Sequence, residues 1–465
     1  MFRTSPQPHT HPGTSDLRLA VVAPFIDRQH GTERALAELL DRLSREYTCE
    51  IHLYAERVQD LAVMPPAGAS RIRRDTHPPK PVIQPPTLNQ EPVIPSSPKD
   101  GEGSQPPPHH KSQQYVHPRS PQSGSIIWHR VPTIPGPHLF KFLFWILANT
   151  VMRWWDRLVR GLRPDAVFSP GINCLDADFI VVHALFRRLR ELSGQQSQGG
   201  EASSVGPFLR LHRRAYYATV AALERIIYAN RKTRLAAVSR RTADLLARYF
   251  RRIDTAVIYN GIDTDQFSVP ARLAHRQGAR YRRNFADKEL VLLLIGNDWR
   301  VKGLPTILAA VAATRDLPLR LIVVGSDVAT GFQSNAQQLG IADRCRWESP
   351  RPDVIDFYAA ADVYVSPSLE DSFGLPVAEA MACGLPVITS KFAGISELIQ
   401  NDRDGLILSD PTNAAVLAEL LRGLYANATA RITLGTAAAV TAQTYTWDRN
   451  ATEMWQYLNS AKPRR

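Results

Sequence analysis

Apolar residues along this chain fall into two patterns, short continuous runs and runs spaced three and four apart, as strands of a buried parallel sheet and the helices covering it require. Residues 17–24, Leu-Arg-Leu-Ala-Val-Val-Ala-Pro, give the first short run and predict a strand. In the segment 32–47 that follows, Leu36, Leu39, Leu40 and Leu43 share one helical face. Strand patterns recur at 49–55, 125–130, 163–169, 178–184 and 233–239, and helical patterns at 213–230 and 240–250. A second series opens with the run 289–295, continues with a helix over 304–314 and strands at 319–324, 345–347, 362–366 and 385–390, and closes on an amphipathic stretch at 445–458. This alternation predicts an α/β protein with parallel sheets.

The corner between the strands at 362–366 and 385–390 carries the most chemistry. Pro376 suits the start of a short helix and Gly384 the left-handed residue just past its end. The free amides of the first turn, with Gly374 letting a ligand approach the backbone, suit an anion such as phosphate. Asp371 lies in the loop and Glu379 one turn into the helix, eight residues apart. Two such acids bind different hydroxyl-rich parts of one ligand, or else cap the turn and complement the helix dipole. A second loop, Gly296-Asn-Asp-Trp-Arg-Val-Lys-Gly303, lies between strand end and helix start, where doubly wound sheets bind ligands.

Composition narrows the picture. With 465 residues, 44% of them hydrophobic, the chain has material for two cores. The four cysteines, at 49, 174, 345 and 383, show no metal-like or paired spacing and suggest a reducing compartment. Residues 1–15 are polar with no apolar core, so no secretory signal is visible and a cytoplasmic location is expected. Of the 35 prolines, 15 lie between Pro65 and Pro121 among Ser, Gln, His and Lys, which reads as a disordered insertion or a polyproline ligand. The formal charge of +12 is concentrated at 187–283, with 20 Lys or Arg against 7 Asp or Glu. That field suits nucleic acid, anionic lipid or phosphorylated substrates, or is a solvated surface. The most apolar stretch, 138–155, is interrupted by Lys141, Asn149 and Arg153 and is too short to span a bilayer. Its aromatic and basic residues suit a headgroup region, with Phe142, Phe144 and Trp145 as the contacts to remove, or else the helix covers a sheet.

The stretch Asp371-Ser-Phe-Gly-Leu-Pro-Val-Ala-Glu-Ala-Met-Ala resembles the Glu-x7-Glu signature of GT-B, group 1 (family 4) retaining glycosyltransferases, with Asp371 in place of the first Glu. Gln29-His-Gly-Thr-Glu-Arg34 resembles the family's Gly-Gly-x-Glu-Arg entry, with His30 for the first glycine and Gly31 as the second. The loop 296–303 resembles Gly-Arg-x4-Lys-Gly, with Asn297 at the usual Arg and Lys302 at the Lys; Arg300 supplies a nearby charge. Residues 255–267 resemble the interdomain connection and 391–397 the Gly-Gly-x-Pro-Glu loop, with Ala393 for the first glycine.

The resemblance implies two facing Rossmann-like domains, with a disordered N-terminus at 1–16 and a first, acceptor-binding domain at 17–257. That domain contains the disordered insertion at 62–124 and a mobile loop at 193–206. A nucleotide-sugar domain follows at 258–444, and a last helix, 445–465, crosses back to the first. It implies a nucleotide-sugar donor, a carbohydrate or lipid-linked acceptor, retention of configuration, and no metal or other cofactor. His183, Lys302 and Asp371 are the catalytic candidates. Gly31, Gly296, Asn297, Arg300, Lys302, Arg346, Trp347, Asp371, Phe373, Gly374, Leu375 and Glu379 are the donor-binding candidates. Within this scheme Lys302 and Arg300 grip the diphosphate, Asp371 the sugar and Glu379 the ribose. Arg346 and Trp347 lie near the base, and His183 beside the donor sugar. An anionic membrane surface is a further partner, with peripheral attachment at the inner face of the cell membrane, and nucleic acid is not expected. The alternative is a degenerate GT-B protein that binds nucleotide or a polyanion without turnover. A dinucleotide oxidoreductase is disfavoured because no Gly-x-Gly-x-x-Gly follows the first strand.

Overall fold

A computed structural model describes residues 17–28, 31–66, 124–196 and 207–460, with the side chains of 193–196 and 207–214 excepted. The expectations for 1–16, for His30 and for nearly all of the proline-rich insertion lie outside the described residues.

Among the described residues nine strands precede residue 260: β1 (Arg18–Val22), β2 (Phe25–Ile26), β3 (Glu50–Ala55), β4 (Arg57–Val58), β5 (Ile126–Arg130), β6 (Ala166–Pro170), β7 (Phe179–Val182), β8 (Arg234–Ala237) and β9 (Ala256–Val257). Seven of them form a sheet in the order β5-β3-β1-β6-β7-β8-β9, and β2 and β4 pair separately. Six more, β10 (Leu290–Ile295), β11 (Leu319–Val324), β12 (Cys345–Glu348), β13 (Val363–Ser366), β14 (Val387–Ser390) and β15 (Leu406–Leu408), form a second sheet in the order β12-β11-β10-β13-β14-β15. Every pairing in both sheets is parallel. In each sheet the chain steps outward one way from its first strand and then the other, so the switch points fall between β1 and β6 and between β10 and β13.

Alternation along β1 separates the faces of the first sheet. Leu19 and Val21 pack with Leu36, Leu40 and Leu43 of the helix Gly31–Glu46, whereas Ala20 and Val22 pack with Trp145 and Ile146 of the helix His138–Val159. The cluster around Leu36 continues into Val291, Leu293 and Phe357, so one apolar core joins the two sheets. The final helix, Trp447–Asn459, begins at Thr446, whose side chain accepts from the Arg449 amide. Its buried Trp447, Ala451, Met454, Trp455 and Leu458 recur every three or four positions. Trp455 lies 5.0 Å from the Tyr47 ring, and the Tyr457 hydroxyl donates to the Leu235 carbonyl at 2.9 Å, so the helix lies on the first domain.

Part of the basic segment is taken up inside the protein, while others of its residues, such as Arg187, Arg190, Arg231 and Lys232, stay exposed. Arg252 is buried and donates to the carbonyls of Tyr228, Asn230 and Thr233. Arg280 pairs with Asp362, and Arg283 with Glu348 and Asp356, which fastens the helix Val269–Tyr281 to the second domain.

Three expectations are corrected. Residues 193–196, read as loop from their Ser, Gly and Gln, complete the helix Phe186–Gln196, while the rest of 193–206 lies outside the described residues. Residues 62–66 of the supposed insertion are ordered against the sheet, where Met64 bridges Ile127 and exchanges backbone hydrogen bonds of 2.8 Å with Ile126 and Trp128. Trp145 is not an outward contact: it is 2% exposed and its indole donates to the Asn173 carbonyl at 3.0 Å.

Candidate functional site

Three loops meet at the C-terminal ends of β10, β13 and β14. The Leu369 amide donates to Val301 at 2.7 Å, the Asp371 amide to Phe392 at 3.1 Å, and the Gly394 amide to Asp371 at 2.9 Å. This weld sits at the switch point of the second sheet, where ligands bind in doubly wound folds. Lys302, from the loop after β10, and Asp371, from the loop after β13, face each other across the crevice as an ion pair.

Gly374 stands before the helix Leu375–Ala382 with φ at +97°, a conformation in which a Cβ would meet Ile395 Cγ2 at 3.1 Å. The position therefore needs glycine; Pro376 has no amide hydrogen and the Val377 and Ala378 amides close on the Gly374 carbonyl at 3.0 and 3.2 Å, which leaves the Leu375 amide at the helix start for a ligand. The start of the helix Gly31–Glu46 converges on the same place, since a Cβ at Gly31 would lie 3.6 Å from Leu375 Cδ1. The starts of the two helices thus lie next to each other.

Glu379 is buried, and both of its oxygens are engaged. Arg34, from the first domain, pairs with one, and the Tyr358 hydroxyl donates to the other at 2.6 Å. Burial, with the Glu379 carboxylate behind it, pushes Tyr358 well above its ordinary range, so the hydroxyl stays a donor. Glu370, adjacent to Asp371, faces away from Lys302's loop toward the first domain. It accepts from Arg241 at 2.6 and 3.0 Å and from Arg188 at 2.9 Å. Glu397 crosses as well, accepting from the backbone amides of Arg240 and Arg241 at 2.8 and 2.5 Å and so capping the helix Arg240–Phe250 from the other domain.

The remaining candidates separate. Asn297 accepts from the Ser326 amide at 2.8 Å and so braces the loop after β11. Gly296, with φ at +145°, lies under the Lys302 stem, and Arg300 is exposed on the same loop. Arg346 and Trp347 lie on β12, at the edge of the sheet. There Arg346 pairs with Glu348 at 2.8 Å, while the Trp347 ring lies 5.4 Å from Trp299. Phe373 and Leu375 are buried beside Gly374. His183 follows β7 in the first domain and lines a cavity of about 20 Å³ with Ala35, Leu36, Phe168, Val181 and Asn260, room for one water. The residue is half-buried, and burial lowers the pKa of its imidazole to about 4, so the ring is neutral at pH 7. The structure therefore joins Lys302 to Asp371 and Gly31 to Leu375, and sets His183 and the Arg346–Trp347 pair outside that cluster.

Sequence reasoning missed Arg34 and Tyr358 as partners of Glu379. Arg34 closes the Gly-Thr-Glu-Arg motif, which forms the first turn of the helix Gly31–Glu46, and carried a signal; Tyr358, in the helix Ile355–Ala360, carried none. Among the described residues no group of three or more His, Cys, Asp or Glu is placed to hold a metal ion. No described helix is long and apolar enough to cross a membrane.

Residues 276–440 match the family of glycosyl transferases group 1. Over 230 residues the chain is 33% identical to the D-inositol 3-phosphate glycosyltransferase of Pseudarthrobacter chlorophenolicus, a match covering 47% of this chain and 53% of that protein. The chain thus spans about half the length of the curated relatives it matches. Among solved structures, WaaG, a glycosyltransferase involved in lipopolysaccharide biosynthesis, superposes with a TM-score of 0.67 at 17% identity, over 95% of this chain and 100% of that one. HepE of Anabaena, in complex with UDP and glucose, superposes with a TM-score of 0.60 at 15% identity, over 96% of this chain and 100% of that one. Residues 276–440 are thus similar to group 1 glycosyl transferases, and the two parallel sheets are those of the GT-B fold.

Proposed function

We propose that the protein is a retaining glycosyltransferase that moves a hexose from a nucleotide-diphosphate sugar to an acceptor hydroxyl, without a metal, in the synthesis of a cell-envelope glycan, glycolipid or polysaccharide. The observation that carries this reading is the crevice between β10 and β13, where Lys302 and Asp371 meet beneath two converging helix starts. Negative charge that builds on a departing diphosphate finds the Lys302 ammonium and the start of the site helix there. Asp371 then holds sugar hydroxyls once Lys302 turns to phosphate, and Glu379 holds the ribose. The neutral His183 serves the sugar as a hydrogen-bonding group from the first domain, and Arg346 and Trp347 flank the base. The acceptor enters over the first domain, and a lipid-linked acceptor at an anionic membrane on the cytoplasmic side suits this design.

Calorimetric titration with uridine, guanosine and adenosine diphosphates and their glucose and mannose conjugates tests the donor site, with transfer to lipid and sugar acceptors measured alongside. Saturable binding of one nucleotide with transfer of its sugar supports the reading. Binding without hydrolysis or transfer points to a degenerate GT-B protein, a reading that the engagement of Asn297 with the Ser326 amide favours, since no guanidinium stands at that position.

A further inference from the structure

The helix His138–Val159 is built inside out. Its polar groups face inward: the Asn149 amide donates to the carbonyls of Trp145 and Asn173, at 2.6 and 3.3 Å. Asp156 accepts from the Tyr54 hydroxyl at 2.9 Å and from Arg160 at 2.8 Å, and it lies 2.8 Å from His129 Nδ1. On the opposite side Phe140, Leu143, Leu147, Val151, Trp154 and Leu158 recur at intervals of three and four, joined by Trp155 and Val159, each 44 to 62% exposed. A helix lying on a soluble core presents charge to water. This one presents on the order of 800 Å² of apolar surface, more than the roughly 300–600 Å² of the largest patch on an ordinary monomer.

Charge on this helix is one-sided. Its only acid is Asp156, which is buried, whereas Lys141 and Arg157 are exposed on the two borders of the apolar stripe and Arg160 and Arg163 follow at its end. The exposed Asp176 nearby is held by Arg153 through two contacts of 2.7 Å. At 22 residues the helix is about 33 Å long and lies along the protein surface, held near its C-terminal end by Tyr54 and His129 of the sheet through Asp156 and near its start by Tyr216, against which His138 and Phe142 pack.

We propose that the outward face of this helix seats the protein on an anionic lipid bilayer, with the apolar stripe in the headgroup boundary and Lys141, Arg157, Arg160 and Arg163 on the lipid phosphates. A second copy of the chain is the poorer occupant, because pairing two such faces sets basic borders against each other, whereas anionic headgroups neutralise them. The surface meets the lipid with Phe140, Leu143, Leu147, Trp154 and Leu158, not with the inward Trp145. The inference deepens the membrane part of the reading above but needs no nucleotide, so its test runs independently of the donor site.

The full chain is sedimented with vesicles of phosphatidylcholine alone and of phosphatidylcholine mixed with phosphatidylglycerol. Wild type is expected to bind the mixed vesicles, weakening as salt rises. Phe140→Ser with Leu147→Ser and Trp154→Ser is expected to lower the partition coefficient at least about tenfold, with melting and nucleotide titrations unchanged because these side chains are exposed. Arg157→Glu with Lys141→Glu is expected to remove the preference for phosphatidylglycerol. A gentler variant, Trp154→Phe with Trp155→Phe, keeps the apolar face and is expected to abolish most of the tryptophan quenching by brominated lipid. Failure of wild type to bind mixed vesicles, quenching that survives in that variant, or a wild-type dimer that dissociates in the triple variant without any vesicle binding would overturn the proposal.

Discussion

Arg34 and Glu379 lie 345 positions apart in sequence and form a partly buried ion pair that crosses from the first turn of one domain's opening helix to the site helix of the other. The contact makes the state of the cleft visible to the carboxylate assigned to the ribose.

Removing one partner of such a pair strands the other. Arg34→Met is expected to cost about 2–4 kcal/mol in urea unfolding, and Arg34→Met with Glu379→Gln clearly less than the sum of the two single changes. Additive effects would show that the pair contributes nothing.

Nucleotide binding separates the site residues. Glu379→Gln is expected to weaken nucleoside monophosphate and diphosphate alike, by roughly 1–3 kcal/mol. Lys302→Ala is expected to hurt the diphosphate more and to lower turnover, because charge builds on the leaving group. Asp371→Asn is expected to spare the free diphosphate and still depress transfer. Wild-type affinities in both the Glu379 and Lys302 variants would place the donor elsewhere.

Gly374→Ala forces a side chain into a left-handed conformation at φ +97° and toward Ile395. The strain is expected to cost about 1–3 kcal/mol of stability. Nucleotide diphosphate affinity falls with it, since the first-turn amides shift; unchanged melting and affinity would refute the role given to this glycine.

The buried pair His52 and His129 gives a pH dependence of known sign. Their rings meet at 3.0 Å, and burial lowers both pKa values, that of His129 to about 4. The unfolded chain binds the proton first, near pH 6.5, so stability from the neutral ring is present above that value and is lost as pH falls toward about 4. Relative to His129→Gln, wild type is expected to lose melting temperature between those values. A constant difference across the window would rule the histidine out as its source.

What the sequence made legible was local. Asp371, Gly374 and Glu379 fall within nine residues, and strand and helix patterns on either side fix their positions on loop and helix. Lys302 and Gly303 were legible for the same reason. Partnerships across the cleft were not, because nothing in the order of residues brings Arg188 and Arg241 to Glu370. The helix His138–Val159 failed in another way: apolar residues occupy both of its sides, so periodicity predicts the helix but not which side the sheet covers. Buried Asn149 and Asp156 decide it, since polar groups with partners beneath them mark the inner side.

The helix Arg240–Phe250 borrows part of its cap from the opposite domain, through Glu397. Parting the domains uncovers two amide hydrogens that are otherwise held by a carboxylate, so the closed cleft behaves as a clasp with a restoring force. Exchange of the Arg240 and Arg241 amides with solvent then keeps time for the clasp, and a ligand that holds the domains together slows that clock without touching either residue.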